Sequence, residues 1–299
     1  MRALVTGAHG FVGPYLTAHL ESMGDEVVGV DQDMDIANAE LVRARLADEM
    51  PDVVYHLAAA SHVGDSWDAP LDVLRINTEG TLNVLLAAHE AGAERVVIIG
   101  SAEQYGTVPQ ERMPITEDTP LQPVSPYGAS KAAAEMLGSY MVRGRDFPVV
   151  LVRAFNHLGP GQSDRLVASA LARQVAENER SGAEEIHAGD LSPKRDFTDV
   201  RDVVRAYRLL AERGVPGEAY NVCSGRAVAI RDMAETLISL SGKPMRVVLD
   251  PERLRPVDVP VLLGSNAKLT RDTGWTPDVP LEQTLADVLD WWRKKVAAS

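Results

Sequence analysis

The chain has 299 residues, 45% hydrophobic and 24% charged, enough to bury a large core as one large domain or two of ordinary size. A formal net charge of −13 argues against nucleic-acid or anionic-membrane partners, because phosphate backbones need a basic stripe and none is visible; an anionic small molecule held by a few converging arginines stays open. Cys223 is the single cysteine, which removes internal disulfides and cysteine-based zinc sites and fits a reducing compartment. The opening MRALVTG runs straight into a strand pattern without a leader signature, and no apolar run approaches the roughly 20 residues of a membrane span, so the expected location is the cytoplasm.

Apolar, β-branched runs at 3–7 (ALVTG), 26–31 (EVVGVD), 52–59 (DVVYHLAA), 95–101 (RVVIIGS) and 147–155 (FPVVLVRAF) predict strands. Helical periods between them predict helices over about 11–23, 37–48, 70–91 and 126–145, with Pro51 and Gly92 as stops. Strands that read as continuous apolar runs separated by helices indicate a parallel sheet covered on both faces, a doubly wound Rossmann-type α/β fold. Past residue 155, loops rich in Gly, Pro and charge separate helical stretches at 165–180, 200–213 and 230–241. The expected division is a dinucleotide-binding domain over 1–155 and a smaller substrate-binding lobe over 156–299, with some of its elements returning to the main sheet.

TGAHGFVG places Gly7, Gly10 and Gly13, with Phe11 and Val12 between them, directly after the first strand and at the start of a helix. Glycines there permit a tight turn and let a pyrophosphate approach the free N–H groups of the helix N-terminus. The second strand ends in Asp31, where a carboxylate can bond both ribose hydroxyls of NAD and repel the 2′-phosphate of NADP, so NAD(H) is favoured and NADP(H) remains open. Asp35 and Ile36 follow at a distance suited to holding adenine by its amino group and face, or Asp35 simply starts a helix.

SPYGASK carries Tyr127 and Lys131 four positions apart on one face of a helix. A tyrosine titrates near 10, too high for neutral acid–base work, and a nearby ammonium brings it down. Ser101, at the end of the fourth strand, stands where open α/β sheets bind ligands and can donate to the same substrate oxygen. In this order the motifs resemble the extended short-chain dehydrogenase/reductase family along essentially the whole chain. The resemblance implies hydride transfer at a hydroxyl or keto carbon, with Tyr127 as acid/base, Lys131 lowering its pKa and holding the nicotinamide ribose, and Ser101 polarising the carbonyl. HLAA (56–59) and INTEGT (76–81) match as well, which brings Leu57, Ala58, Ala59 and Asn77 to the cofactor.

RAFNHLGPGQ, KRDFTDVRDV, YNVCSG and RPVDVPVLLGS resemble the nucleotide-sugar branch of that family. They are most similar to the GDP-4-keto-6-deoxymannose reductases that make GDP-rhamnose, next to the GDP-mannose 4,6-dehydratases, and more distantly to 4-epimerases. That implies a GDP-sugar substrate, with Asn156 and Arg195 on its diphosphate or base side, Arg255 on the diphosphate and Asp258 on the ribose. Asp258 departs from the more usual glutamate, which shortens its reach. Glu103 matches the C5 base of the dehydratases but also stands in some reductases, so it does not decide between them. A non-catalytic NAD-binding regulator on the same fold would have no use for an intact Ser101, Tyr127 and Lys131. The resemblance also implies a homodimer through the helices near 70–91 and 126–145. The histidines show no metal-ligand spacing and no metal is expected; His56 and His157 read as hydrogen-bonded structural residues, and Trp275, Trp291 and Trp292 as core.

Overall fold

A computed structural model describes residues 1–253 and 260–298 of the chain. In the first half, strands β1 (Arg2–Thr6), β2 (Glu26–Val30), β3 (Val53–His56), β4 (Arg95–Ser101) and β5 (Val149–Ala154) are interleaved with helices. These are α1 (Gly13–Ser22), α2 (Ala39–Glu49), the short α3 (Asp65–Asp68) and α4 (Pro70–Leu74), then α5 (Gly80–Glu90) and α6 (Pro126–Arg145). The second half contributes β6 (Asn156–Leu158), α7 (Val167–Ser181), β7 (Glu185–Ala188), β8 (Lys194–Asp199), α8 (Val200–Arg213) and β9 (Ala219–Val222). It continues with β10 (Ala227–Ala229), α9 (Ile230–Ser241), β11 (Arg246–Leu249), β12 (Val261–Leu262), α10 (Ala267–Thr273) and α11 (Leu281–Ala297).

The main sheet is parallel throughout, in the order β2-β1-β3-β4-β5-β9. Its inner strands β1, β3, β4 and β5 are mostly apolar and buried because both faces are covered, whereas the edge strand β2 is partly exposed. Along β1, Ala3 and Val5 enter one core with Leu16, Tyr207 and Trp275, whereas Leu4 enters the opposite core with Val42, Leu46 and Val84. Helices α1 and α8 cover the first face; α2, α5 and α6 cover the second. Residues 200–222 therefore complete the sheet domain, through α8 and through β9 paired with β5. Helix α10 and Trp275 also pack on the sheet domain, and the remainder forms the lobe, in which β8 pairs with β6, β10 and β12, and α7, α9 and α11 enclose Leu171, Val175, Met233, Leu237, Val288 and Trp292.

Two local departures from the sequence pattern shape the site. The third strand stops at His56 rather than running to 59, because the Ala58 N–H turns to Thr6 Oγ1 and the Ala60 N–H to Asn77 Oδ1 instead of continuing the ladder. The single helix expected over 70–91 is interrupted by a π-helical segment, Arg75–Glu79, whose extra residue re-aims Asn77 toward α6.

Helix α6 lies close on the sheet because position 138 is glycine: a Cβ there would fall 2.6 Å from Leu151 Cδ2. Leu151 is 3% exposed in this contact. Leu151→Ala is expected to cost about 2–5 kcal/mol, read as a lower urea midpoint at unchanged m-value.

Candidate active site

Strand β1 lies between β2 and β3, so the chain leaves β1 toward one side and returns on the other, opening a crevice at the strands' C-terminal ends. The 7–12 loop fills its mouth. Gly7 has φ +71°, and any Cβ there would lie 2.8 Å from the Ala58 nitrogen across the crevice; a Cβ on Gly13 would strike the Ala8 carbonyl. Helix α1 starts without a side-chain cap, which leaves its first N–H groups facing the crevice mouth for an anion. These features fit a dinucleotide pyrophosphate. Asp31 holds the same loop, its Oδ2 accepting the His9 N–H at 2.8 Å. Asp35 is exposed and accepts the Ala37 N–H, while Ile36 is buried against Gly80. Phe11 stacks on the His157 ring, centroids 6.0 Å apart, and Tyr15 donates to the Pro160 carbonyl, tying the glycine loop to the chain beyond β6.

Below the crevice runs a buried chain of hydrogen bonds. Thr81 donates to the Asn77 carbonyl at 2.6 Å, so its oxygen is left to accept from His56 Nε2 at 3.0 Å. His56 Nδ1 then accepts from Thr6 at 2.8 Å, and Thr6 accepts the Ala58 N–H at 3.1 Å. Every donor in that chain has one acceptor only if His56 is neutral, and burial, with a smaller push from the Lys131 charge, brings its pKa down to about 3. Asn77, 1% exposed, bonds both the N–H and the carbonyl of Ala60 and donates to Ser130 Oγ at 2.9 Å. It thus joins the wall at Leu57, Ala58 and Ala59 to α6.

Helix α6 begins where Ser125 accepts the Gly128 N–H and Pro126 presets the first turn. Its first turns carry Tyr127 and Lys131, both buried. The Tyr127 hydroxyl lies close enough to Ser101, the last residue of β4, for that side chain to act on its pKa. Burial pushes Tyr127 up to about 12, Ser101 opposes this, and the Glu103 carboxylate adds to it. Lys131 Nζ donates to the Ile99 carbonyl at 2.8 Å, sits 6.0 Å from the Tyr127 ring centroid, and is pulled down to about 8 by burial. Lys131 thus directs its ammonium to the Ile99 carbonyl, and burial is the largest influence on the Tyr127 hydroxyl. Glu103 lies in the 3-10 turn Ala102–Tyr105, its N–H donating to Ser101 Oγ at 3.2 Å.

Asn156 is exposed two residues past Ala154, the register partner of Ser101, and Arg195 stands on β8 beside β10 and β12. Arg255 and Asp258 lie outside the described residues. A cleft of about 470 Å³ in the lobe is lined by Thr198, Asp232, Met233, Pro277 and Leu285 and by none of the candidate catalytic or cofactor residues. Among the described residues no His, Cys, Asp and Glu converge as a metal cluster, and no helix is long and apolar enough to cross a membrane. Thr6, Thr81, Gln104, Glu135 and Arg153 were not legible as site residues. Thr6, Glu135 and Arg153 bond partners far off in the chain, whereas Gln104 stands three residues after Ser101 in a capping-box spacing and Thr81 four residues after Asn77, so those two carried a local signal.

An uncapped helix start across a crevice from a neighbouring serine and tyrosine meets what a dinucleotide-dependent oxidoreductase needs, one anchor for pyrophosphate and another for the reacting oxygen. The chain belongs to the NAD dependent epimerase/dehydratase family, whose profile matches residues 3–223, within the extended short-chain dehydrogenase/reductases. It is 36% identical over 299 residues to a GDP-6-deoxy-D-mannose reductase of Pseudomonas aeruginosa, covering 99% of this chain and 98% of the relative. A UDP-glucose 4-epimerase of Streptomyces lividans is 31% identical over 96% of this chain and 95% of its own. The structure of RMD from Pseudomonas aeruginosa complexed with NADPH superposes with a TM-score of 0.93 at 34% identity, over 99% of this chain and 100% of that one.

Because His56 is neutral when folded and titrates near 6.5 when unfolded, the unfolded chain binds more protons between those values. Its contribution to stability is full above pH about 6.5 and is lost as pH falls toward 3. NMR titration of the His56 ring should show no protonation down to pH 4.5, and ring protonation near pH 6.5 would contradict the assigned chain of donors.

Proposed function

We propose that the chain is an NAD(P)-dependent nucleotide-sugar oxidoreductase that reduces the C4 keto group of GDP-4-keto-6-deoxy-D-mannose to give GDP-D-rhamnose. The observation that carries this reading is the whole-length similarity to GDP-6-deoxy-D-mannose reductase, supported by Tyr127 and Lys131 buried one turn apart at the start of α6, which packs on β4. Residues 1–155 supply the dinucleotide site and residues 156–299 mainly the sugar-nucleotide site. Gly7, Gly10, Phe11, Val12 and Gly13 hold the pyrophosphate, and Asp31 the adenosine ribose. The carboxylate of Asp31 supports NADH over NADPH, although the similar protein of Pseudomonas aeruginosa was solved with NADPH. When bound, the reduced nicotinamide supplies a hydride to C4. A substrate oxygen between Ser101 and Tyr127 receives a hydrogen bond from each, and Tyr127 delivers its proton as negative charge develops there. Lys131 balances the phenolate left behind. Asn156, Arg195, Arg255 and Asp258 take the GDP moiety.

A second reading, GDP-mannose 4,6-dehydratase, is favoured by the Glu103 carboxylate, whose charge acts on Tyr127 and which would serve as the C5 base. The deciding experiment is product NMR from two tubes, GDP-mannose with NAD and GDP-4-keto-6-deoxymannose with NADH. Conversion only in the second, with Tyr127→Phe losing roughly 10²–10⁴-fold in kcat while retaining NADH affinity, is expected for the reductase. A 4-keto product in the first tube that disappears in Glu103→Gln establishes the dehydratase.

The assembly we infer is a homodimer through α4, α5 and α6, in a cytoplasmic setting consistent with the lone buried Cys223. Met136 and Tyr140 lie on one face of α6, 72% and 43% exposed, and α3 and α4, which carry the exposed Trp67 and Leu71, pack against the same helix. Exposed large apolar side chains on these elements support an association surface there. Met136→Glu should convert the sedimenting species from dimer to monomer with the fold intact.

A further inference from the structure

Beneath the catalytic serine lies a second buried polar network. The Ser101 N–H donates to Gln104 Oε1 at 2.7 Å, and Gln104 Nε2 donates to Glu135 Oε2 at 2.7 Å. Glu135, on α6 one turn beyond Lys131, takes Arg153 of β5 in a two-pronged ion pair at 2.6 and 2.9 Å. Arg153 continues to the Tyr105 hydroxyl at 2.7 Å and the Glu117 carbonyl at 2.9 Å, and Tyr105 donates to Asn221 Oδ1 at 2.7 Å. Gln104 is fully buried and Glu135 and Arg153 nearly so. An ionised carboxylate can only accept, so Glu135 fixes which end of the Gln104 amide faces it and leaves the carbonyl for Ser101. Glycine at 100 makes room, since a Cβ there would collide with Gln104 Oε1 and the Val152 carbonyl.

We propose that Gln104 is a positioning residue for the reaction: held by the Glu135–Arg153 pair, it fixes the end of β4 so that the Ser101 hydroxyl stays against Tyr127. This rests on the reading of Ser101 and Tyr127 as the hydroxyls that receive the substrate oxygen. Gln104 has no need to touch substrate. Without it, the Ser101 N–H and a Glu135 lone pair are buried without partners, and the strand end shifts to find them.

The test compares wild type with Gln104→Met, which keeps length and removes both bonds, and with Gln104→Glu. Thermal melts establish that each variant is folded, and amide exchange at Ser101 reads the contact without any substrate. In Gln104→Met the Ser101 amide should exchange about tenfold faster or more. Its kcat for reduction of GDP-4-keto-6-deoxymannose should fall roughly 10²-fold at unchanged KM and NADH affinity. Gln104→Glu should approach wild-type kcat at acidic pH, where the protonated side chain reproduces one acceptor and one donor. It should lose activity as pH rises and two carboxylates face each other. A Ser101 amide equally slow in wild type and Gln104→Met overturns the proposal whatever the substrate proves to be. So does a loss confined to KM. A wild-type protein inert toward 4-keto sugar nucleotides, with the Ser101 amide still responding to Gln104→Met, instead overturns the substrate reading and leaves the positioning role standing.

Discussion

Backbone meets backbone between Gly7 and Ala58, and the architecture of the site follows from that contact. Two parallel neighbours whose connections leave in opposite directions must open a crevice at their C-terminal ends, and a dinucleotide can enter it only if the covering loop stays thin. Glycine at 7 supplies both the positive φ and the missing Cβ, and glycine at 13 lets α1 close on Ala8. With the loop flat, α1 begins without a side-chain cap just beyond the end of β1.

Those strand ends create a second problem, because their polar groups leave the ladder while still buried. The molecule resolves it with two networks that grip α6 from opposite sides. On one, Thr6, His56, Thr81 and Asn77 relay bonds from Ala58 to Ser130. On the other, Gln104 and Arg153 converge on Glu135. Tyr127 and Lys131 lie on the same helix as these anchors, so the positions of the candidate catalytic side chains are set by buried donors and acceptors whose partners are fixed in number. A single methionine-sized gap in either network would release a strand end and a helix together.

The pKa values illustrate how burial changes the chemistry expected of a motif. A Tyr-x-x-x-Lys pair in solution would tune the tyrosine downward through the ammonium. Here both groups are desolvated, the lysine is hydrogen-bonded to the Ile99 carbonyl, and the Glu103 carboxylate acts with burial to push the Tyr127 hydroxyl up while Ser101 opposes them. This explains why Glu103 is ambiguous as a sequence feature: its charge acts on Tyr127 whether or not it removes a proton from carbon.

The sequence by itself determined the sheet and its helices almost to the residue, because strands buried on both faces must be continuously apolar and the helices between them carry their own caps and stops, such as Ser125 and Gly92. It also located the glycine loop, Asp31, Ser101, Tyr127 and Lys131, since chemistry at a strand end demands particular residue types at short spacing. What it left open was anything that depended on distant partners. The π turn that aims Asn77 at α6, the early end of β3 and the identity of α8 and β9 as the elements that return to the main sheet emerged only in three dimensions. So did the neutral state of His56, the raised pKa of Tyr127 and the clamp of Gln104, Glu135 and Arg153. Local propensity and periodicity act over a few residues and are written along the chain, whereas desolvation and the pairing of buried polar groups are decided by residues that only the closed tertiary structure brings together.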